Sequence, residues 1–428
     1  MKVRLKRNLI KGLSLALAIL PKRLRHRLIR SQLQLAYDLP EDMHFKIAET
    51  THELEGAFAL LHDAYVEMGY MEPHPSGMRV TFYHLLPSTT TIVGMYRGEV
   101  VSTLSIVRDT SHGLPLESEF SVAHLRAEGA TIAEISSLAV RKDFRKTGGM
   151  VLFPLFRFLW IYCRHYFGVD YIVMASHPKR SEMFDALILF SPLDDKKVTH
   201  YGFANGAPAV SKVLDLRKAP MLYASKYGDN RDEKNLYRYM VPPEMGGVVF
   251  EAVRLPDRRD FRISDPIMTP ELMKHLFVER ARALDGLTEE QKRTLISHYS
   301  TKAYLDEIPQ VQQLTKDIQL NLRRPADPRI EVRCHGLIAI PFSNDQGYPL
   351  TVTDVSNSGL AAKCGFTLEI NKVYRVKVAV APLEVIELTV RLRWQNLRGG
   401  LGLEIIRHSS AWSDFIRRIH PNQMDEAA

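Results

Sequence analysis

The sequence predicts an α/β (α+β) domain followed by a small all-β barrel. With 428 residues, 45% of them hydrophobic and 25% charged, the chain is too long for one ordinary core. Helical and strand patterns alternate from Phe45 to about residue 220, whereas short strands follow one another at close spacing after Arg323. We therefore divide the chain into a basic amphipathic segment (1–40), an α/β domain (41–220), a mixed or helical extension or connector (221–321) and a barrel (322–428).

Hydrophobic periodicity gives the order of elements in the first domain. The predicted hairpin has Gly98 in its turn, where a residue with positive φ is needed. The predicted elements are a helix over Glu53–Met68, strands over Thr91–Tyr96, Val100–Arg108 and Ile132–Val140, a basic turn over Arg141–Gly149, an apolar helix over Val151–Tyr166 and a buried strand over Tyr171–Ala175.

The second half of the chain is patterned differently. Two helix-like segments, near Pro270–Leu284 and Thr288–Tyr299, either complete the first domain or form a connecting module. Strands are then predicted over Ile330–Ile340, Leu350–Val355, Val373–Ala379 and Ile386–Trp394, with a closing helix over Ser409–Ile419. This spacing is typical of a small barrel or sandwich.

The positive charge of the chain is concentrated at its N-terminus. The net charge is +8, yet ten lysines and arginines precede Asp38, the first acidic residue, so the rest of the chain is slightly acidic. A basic tail of this kind does not indicate a nucleic-acid-binding body, and we predict no nucleic-acid partner.

The basic segment contains an apolar stretch, Leu13–Leu20, which Pro21 ends. A bilayer span needs about 20 apolar residues, so this stretch is too short to cross a membrane. No small-x-small site of a signal peptide follows this stretch, and a second basic stretch, Lys22–Arg30, comes directly after it. Two interpretations remain: an anchor on an anionic membrane surface, or a helix packed on the domain behind it.

Cysteine usage indicates a reducing compartment. Cys163, Cys334 and Cys364 are far apart, show no paired metal-ligand spacing and cannot form a disulfide framework. We therefore expect a cytoplasmic protein, peripheral at the inner face of the membrane if the anchor is real, with no metal site.

The turn after the third predicted strand has the composition of a phosphate-binding loop. Gly148 and Gly149 let the backbone approach a pyrophosphate or phosphopantetheine closely, and Arg141 and Arg145 can pair with its oxygens. An ordinary strand-to-helix connection is the alternative reading of such a turn.

This loop resembles the R/Q-x-x-G-x-G/A motif of the GNAT acyltransferase superfamily, with Met150 in place of the last small residue. Over residues 45–215 the chain resembles the long-chain N-acyl amino acid synthase branch, which is related in fold to N-acyl-homoserine lactone synthases. The matching segments are HLLPSTTT at 84–91, GLPL at 113–116, LRAEGATIAEISSLAV at 125–140 and HP at 177–178.

The resemblance implies roles for several residues. Glu134 matches the glutamate of the E-x-S-x-x-x-V signature and is the expected general base, while His177 is a candidate proton relay. Relatives often carry arginine where this chain has Ser137. Many GNAT acetyltransferases place a tyrosine acid where this chain has Phe184, which cannot donate a proton and disfavours acetyl transfer of that kind.

The apolar helix allows two interpretations. Its large side chains could line a tunnel for a long acyl chain, or they could be ordinary core. They are Phe153, Leu155, Phe156, Phe158, Leu159 and Trp160.

A second set of residues resembles the PilZ family, which binds cyclic di-GMP. Asp354, Ser356 and Gly359 form the D-x-S-x-x-G motif, and Arg323, Arg324 and Arg329 precede the first barrel strand. The resemblance implies that arginines clamp the phosphates and stack on guanine. The family pattern is R-x-x-x-R, whereas Arg324 and Arg329 are five residues apart.

These features together predict an N-acyltransferase that moves a long-chain acyl group from acyl carrier protein, or acyl-CoA, to the amine of an amino acid, with cyclic di-GMP as effector and no tightly bound cofactor. The alternatives are a non-enzymatic cyclic di-GMP effector whose first domain binds a lipid or partner, and a conventional acetyl-CoA enzyme.

Overall fold

The structure is a computed structural model that describes residues 20–110, 112–145, 147–256, 268–299, 302–319, 329–339, 347–396 and 399–419. Its α-helices are α1 (Lys22–Ser31), α2 (Thr51–Glu67), α3 (Ala123–Ala127), α4 (Leu152–Ile161), α5 (Pro178–Met183), α6 (Ala219–Tyr227), α7 (Leu236–Met240), α8 (Pro270–Met273), α9 (Glu289–Tyr299), α10 (Lys302–Glu307), α11 (Pro309–Gln319) and α12 (Ser410–Ile419). Three of them continue as π-helix: α4 over Tyr162–Tyr166, α5 over Phe184–Ile188 and α8 over Lys274–Arg280.

The first domain is built on a seven-stranded sheet of order β1-β2-β3-β4-β5-β7-β6. Its strands are β1 (Met43–Ile47), β2 (Thr89–Tyr96), β3 (Glu99–Arg108), β4 (Ile132–Val140), β5 (Tyr171–Ser176), β6 (Ser191–Tyr201) and β7 (Ala207–Asp215). The predicted β2–β3 hairpin is present, and both turn residues have positive φ, Arg97 at 52° and Gly98 at 80°. Two consecutive residues with positive φ match the twist of the flanking strands.

One parallel pair opens the sheet. All other neighbours are antiparallel, but β4 and β5 are parallel and pair only over Ile132–Ile135 and Tyr171–Met174. Beyond this point β4 continues to pair with β3, up to Val140. The two parallel strands therefore part, and a gap opens between them at the end where β4 runs into its loop.

Helices cover both faces of this sheet. On one face α4 packs with Tyr223 of α6 and Tyr239 of α7 in a single hydrophobic cluster. On the other face Phe58 of α2 packs with Phe277 and Leu295 from the region after residue 268. The described residues between 219 and 256 thus pack on one side of the sheet, and those between 268 and 314 pack on the other.

The C-terminal part is a closed, antiparallel six-stranded barrel of order β10-β13-β12-β11-β8-β9. Its strands are β8 (Ile330–Ala339), β9 (Tyr348–Val355), β10 (Gly359–Lys363), β11 (Val373–Ala381), β12 (Glu384–Gln395) and β13 (Gly400–His408). Helix α12 closes the barrel with Trp412, Phe415 and Ile416. The predicted fold class, an α/β domain followed by a separate all-β barrel, is confirmed.

Helix α1 packs on the first domain. Arg25 Nε donates to Glu182 Oε1 at 2.6 Å, and Arg30 Nη1 donates to the carbonyl of Ala186 at 3.3 Å. The opposite side of α1 exposes Leu24 and Leu28 to solvent. Most of the apolar stretch Leu13–Leu20 lies outside the described residues, and in the part of the chain that is described no helix is both long and apolar enough to span a bilayer.

Candidate active site

The point where β4 leaves β5 is marked by a β-bulge. The pairing of β3 with β4 shifts register between Thr103 and Ser105, opposite Ala139 and Ser136. Within the bulge Ser137 has a φ of 55°, a left-handed conformation that is uncommon for a residue with a side chain. Bulges of this kind redirect side chains, and strained residues cluster at functional sites.

Glu134 lies three residues before this bulge, on the part of β4 that still pairs with Val173 of β5. Its side chain is buried, at 2% exposure, and its Oε2 accepts a hydrogen bond of 2.8 Å from the backbone N–H of Leu116. Burial raises the pKa of Glu134 well above its usual range, against the opposing effect of that hydrogen bond. A carboxyl whose pKa is raised in this way holds a proton that a carboxyl in water would have lost.

The loop after β4 contains the predicted phosphate-binding glycines. Gly148 and Gly149 have φ values of 68° and 89°, which only glycine adopts readily. At Gly149 a Cβ would lie 2.2 Å from Cε2 of Phe153, so the first turn of α4 packs directly on this backbone. Lys146, between the predicted arginine and the glycines, lies outside the described residues.

The two predicted arginines of this loop are engaged in surface ion pairs. Arg141 pairs with Asp143 of its own turn at 2.9 Å, and Arg145 Nη1 donates to Glu67 of α2 at 2.7 Å. Arg145 Nε also donates to the carbonyl of Val140 at 2.7 Å. Exposed pairs of this type contribute about 0–1 kcal/mol, so a phosphate could displace either carboxylate at little cost.

His177 lies at the end of β5, four residues beyond the partner of Glu134, which corresponds to about 13 Å along a strand. Its Nδ1 accepts a hydrogen bond of 3.1 Å from the N–H of Lys179 and so caps α5, while its ring stacks on Tyr70. The structure therefore places the two predicted catalytic residues on adjacent strands without direct contact.

Phe184 is buried and contacts Phe156 of α4, with ring centroids 6.1 Å apart. A phenylalanine side chain has no proton to donate, so Phe184 cannot act as a general acid. The six apolar side chains predicted on α4 all belong to the hydrophobic core on that face of the sheet. Of the two interpretations of this helix, the structure shows the packing role.

Residues 56–215 match the family model of the N-acyl amino acid synthase FeeM. The matched region contains the parallel strand pair, the bulge, Glu134 and the glycine loop. Residues 56–215 form an N-acyltransferase domain that is similar to the N-acyl amino acid synthase FeeM family. The predicted resemblance to that family is confirmed.

Solved structures of similar fold include FeeM itself, an N-acyl amino acid synthase from uncultured soil microbes, at 22% identity and a TM-score of 0.36 over 42% of this chain and 93% of that one. The coenzyme A-dependent acyl-homoserine lactone synthase BjaI is 18% identical, with a TM-score of 0.35 over 51% and 95% of the two chains. The inhibitor of motility MotI/DgrA from Bacillus subtilis is 12% identical, with a TM-score of 0.20 over 25% and 55%. No curated protein sequence matches the chain.

A buried histidine of the acyltransferase domain was not predicted as a site residue. His84 Nδ1 accepts from the N–H of Thr81 at 3.0 Å, and its Nε2 lies 3.3 Å from Ser105 Oγ and 3.4 Å from Ser137 Oγ. Burial lowers the pKa of His84 to about 3, so the ring is neutral and carries its proton on Nε2. This contact supports Ser137, the residue in the bulge. The sequence signal that could have pointed to His84 is the HLLPSTTT segment, which begins with it.

A buried ionic cluster joins the two domains. Arg126 Nη2 donates to Asp109 Oδ1 at 2.7 Å and also contacts Glu117, and Lys363 of the barrel contacts the same Asp109. Burial lowers the pKa of Lys363 to about 8. Lys363 is far from the other three residues in sequence, and no spacing could have predicted its contact with Asp109.

A cavity of about 1180 Å³ lies between the acyltransferase domain and the barrel. Arg333 of β8 lines it, contacts the hydroxyl of Thr131 and donates to the carbonyl of Gly168 at 3.2 Å. Arg164 and Lys377 add positive charge to its wall. The barrel thus rests on the end of the sheet where β4 and β5 begin.

The second predicted site lies at the turn between β9 and β10. Ser356 Oγ accepts from the N–H of Gly359 at 3.1 Å, which closes the turn, and Asp354 contacts Nη1 of Arg329. Trp412 Nε1 donates to the carbonyl of Ser356 at 3.2 Å. The structure therefore brings together one predicted arginine and all three motif residues, while Arg323 and Arg324 lie outside the described residues.

Proposed function

We propose that the acyltransferase domain joins a long-chain fatty acyl group to the amine of an amino acid, and that cyclic di-GMP bound at the barrel regulates this reaction. The donor is a thioester on acyl carrier protein or coenzyme A. The amine nitrogen attacks the thioester carbonyl, the C–S bond breaks, and the thiol leaves with a proton. The product is an N-acyl amino acid.

The observation that supports this proposal most strongly is the buried carboxyl of Glu134 beside the opening between β4 and β5. The amine of an amino acid reaches the site as an ammonium ion, and it must lose a proton before it can attack. A carboxylate whose pKa is raised by burial is a stronger base than one in water, so it can take that proton. Glu134 is the proposed general base, with His177 as a secondary candidate for proton transfer to solvent.

The glycine loop is the proposed donor site. Its two glycines precede α4, where the positive end of the helix dipole faces the loop. Arg141 and Arg145 precede the glycines and would exchange Asp143 and Glu67 for phosphate oxygens. Both phosphopantetheine on a carrier protein and coenzyme A carry such a phosphate, so the loop accommodates either donor.

The direct test is an assay of the purified full-length chain with dodecanoyl and hexadecanoyl thioesters of acyl carrier protein and of coenzyme A, supplied with a mixture of amino acids. Mass spectrometry should detect an N-acyl amino acid formed at the expense of the thioester. The absence of product with every donor, from a folded protein that still binds cyclic di-GMP, would instead support a non-enzymatic effector.

The contacts of Arg329 support the proposed regulation of acyl transfer by cyclic di-GMP. The guanidinium faces Asp354 of the D-x-S-x-x-G turn, and the backbone N–H of Arg329 donates to the carbonyl of Ser297 in α9 at 2.7 Å. A phosphate of cyclic di-GMP would draw Arg329 away from Asp354, because a bidentate guanidinium–phosphate pair is strong. The ligand would thereby act where the barrel meets α9.

A short path of contacts connects this turn with the base. Oε1 of Glu331 in β8 lies 3.7 Å from Nη2 of Arg108 in β3. Burial raises the pKa of Glu331 to about 7, and the negative charge of Asp354 contributes to this increase. The neighbour of Arg108 in β3, Val107, pairs with Glu134. We propose that ligand binding alters the Glu331–Arg108 pair and with it the strand beside the base. Glu331→Gln should then reduce the response of acyl transfer to cyclic di-GMP. The variant should still catalyse acyl transfer and still bind cyclic di-GMP.

We also propose that the N-terminal segment holds the protein on an anionic membrane surface. The exposed side of α1 carries Leu24 and Leu28 beside Arg23 and Arg27. Apolar side chains flanked by basic ones are typical of helices that lie in a membrane interface. A membrane location would bring the enzyme close to its lipid product.

A further inference from the structure

Two buried polar atoms beside the proposed active site have no hydrogen-bond partner among the described residues. The side chain of Arg79 is 5% exposed, and its Nη2 donates to the carbonyl of Phe203 at 2.6 Å, whereas its Nη1 has no hydrogen-bond partner among the described residues. The hydroxyl of Tyr201 is buried and equally without a partner in that part of the chain. Buried donors left in this state are rare in native proteins.

The guanidinium of Arg79 is held rigidly in place. It lies over the ring of Tyr65, 4.0 Å from the centroid, and 5.3 Å from the ring centroid of Phe203. The backbone N–H of Arg79 donates to the carbonyl of Phe58 in α2 at 3.0 Å. Among the described residues no carboxylate forms an ion pair with this charge, whereas buried Arg126 pairs with both Asp109 and Glu117.

Tyr201 connects this group with the proposed base. Burial raises the pKa of the Tyr201 hydroxyl, the charge of Glu134 raises it further, and the charge of Arg79 opposes this. Tyr201 also packs in one hydrophobic cluster with Leu116, whose backbone N–H donates to Glu134. The loop after α2, the end of β6 and the start of β4 thus bring a fixed positive charge, an unpaired hydroxyl and a carboxyl to one place.

We propose that Arg79 and Tyr201 bind the α-carboxylate of the acceptor amino acid. Nη1 of Arg79 and the hydroxyl of Tyr201 would each donate a hydrogen bond to the carboxylate, which would orient the α-amine towards Glu134. A guanidinium held flat against aromatic rings presents its remaining donors to a planar anion, and a carboxylate is such an anion. This inference rests on the proposed function and specifies the acceptor as an amine that carries a free carboxylate.

The test compares acceptors that differ only at the carboxyl group. Wild-type enzyme should acylate an amino acid with a kcat/KM at least about tenfold above that for the corresponding amino acid amide, because the amide leaves charged donors unpaired. Arg79→Met should reduce kcat/KM for the acid to the level of the amide, mainly through KM, and leave the KM of the thioester donor unchanged. Arg79→Lys, which keeps the charge but not the fork, should retain part of the preference.

Arg157 is the matched control. It is also buried, contacts backbone carbonyls and lies near an aromatic ring, that of Phe250, on the other face of the sheet. Arg157→Lys should lower the rates with acid and amide to the same extent or not at all. An equal loss with both acceptors in Arg79→Met and Arg79→Lys, or no preference for the acid in the wild type, would overturn the inference. A wild type inactive with every acceptor would instead contradict the proposed function.

Discussion

The backbone N–H of Leu116 donates a hydrogen bond of 2.8 Å to Oε2 of Glu134, and this contact links the segment after β3 to the start of β4. It stabilises the ionised carboxylate, but burial acts more strongly in the opposite direction. The carboxyl is therefore held in place by a group that favours the basic form and by surroundings that favour the acid. Such a balance suits a residue that must accept a proton and then release it.

Glu134 should reduce the stability of the fold as pH rises. Its pKa in the folded state lies above the unfolded value of 4.5, so its contribution to stability is complete below that value and is lost as pH rises towards the folded-state pKa. Glutamine does not ionise, so the Glu134→Gln variant does not lose stability in this way as pH rises. The free energy of unfolding of the variant, relative to wild type, should therefore increase by up to about 1.4 kcal/mol per pH unit within this window.

Urea unfolding of both proteins between pH 5 and pH 8 measures this difference. Glu119→Gln is the control, since that residue lies close in sequence to Leu116 but pairs with Lys196 near the surface. If the difference in free energy of unfolding between wild type and Glu134→Gln stayed constant over the whole pH range, burial would not raise the pKa of Glu134.

The two loop glycines should respond unequally to alanine. Both need a left-handed conformation, which costs a non-glycine residue about 1–2 kcal/mol. At Gly148 the nearest obstacle to a Cβ is the carbonyl oxygen of Gln34 at 3.7 Å, whereas at Gly149 it is the buried ring of Phe153 at 2.2 Å. Gly149→Ala should therefore unfold at a lower temperature than Gly148→Ala and show a larger increase in donor KM. Equal melting temperatures for the two variants would contradict this.

Sequence patterns predicted those parts of the site that are formed by residues close together in the chain. The hairpin at Gly98, the strand with Glu134 and the glycine loop all depend on residues close in sequence. Arg79 and Tyr201 lie 122 positions apart, and only the completed sheet brings them to one place. The pairing of Arg145 with Glu67 was missed for the same reason, because a basic residue in a loop does not reveal which helix will pass beside it.

Cyclic di-GMP binding should depend on the guanidinium fork of Arg329. Calorimetric titration of the full-length protein should show binding, weakened at least about tenfold in Arg329→Lys and in Asp354→Ala, because hydrogen bonds to a charged ligand contribute about 1.5–3 kcal/mol each. Arg375→Lys, at an exposed position on β11, should bind as wild type does. A wild type that releases no heat, or equal affinities throughout, would leave the barrel with a structural role.

Membrane binding should require the N-terminal segment. Sedimentation with vesicles containing anionic lipid should weaken at high salt and fail after deletion of residues 1–37, because each basic residue near such a surface contributes about 1 kcal/mol. The double change Leu24→Glu and Leu28→Glu should reduce it strongly, whereas Leu383→Glu, at a fully exposed leucine of the barrel, should not. Undiminished sedimentation of the truncated chain would refute the anchor.

The rate of acyl transfer by Glu134→Gln tests the central claim most directly. The substitution keeps the size of the side chain and a carbonyl oxygen for the N–H of Leu116, but removes the base. Single-turnover formation of N-acyl amino acid, followed by mass spectrometry with saturating thioester, should fall by about 10²–10⁴-fold, while the variant remains folded and binds the donor as wild type does. In the wild type the rate should rise with pH through the raised pKa of Glu134, and the residual rate of the variant should lack that step. A variant that forms product at the wild-type rate would contradict the assignment of Glu134 as the base.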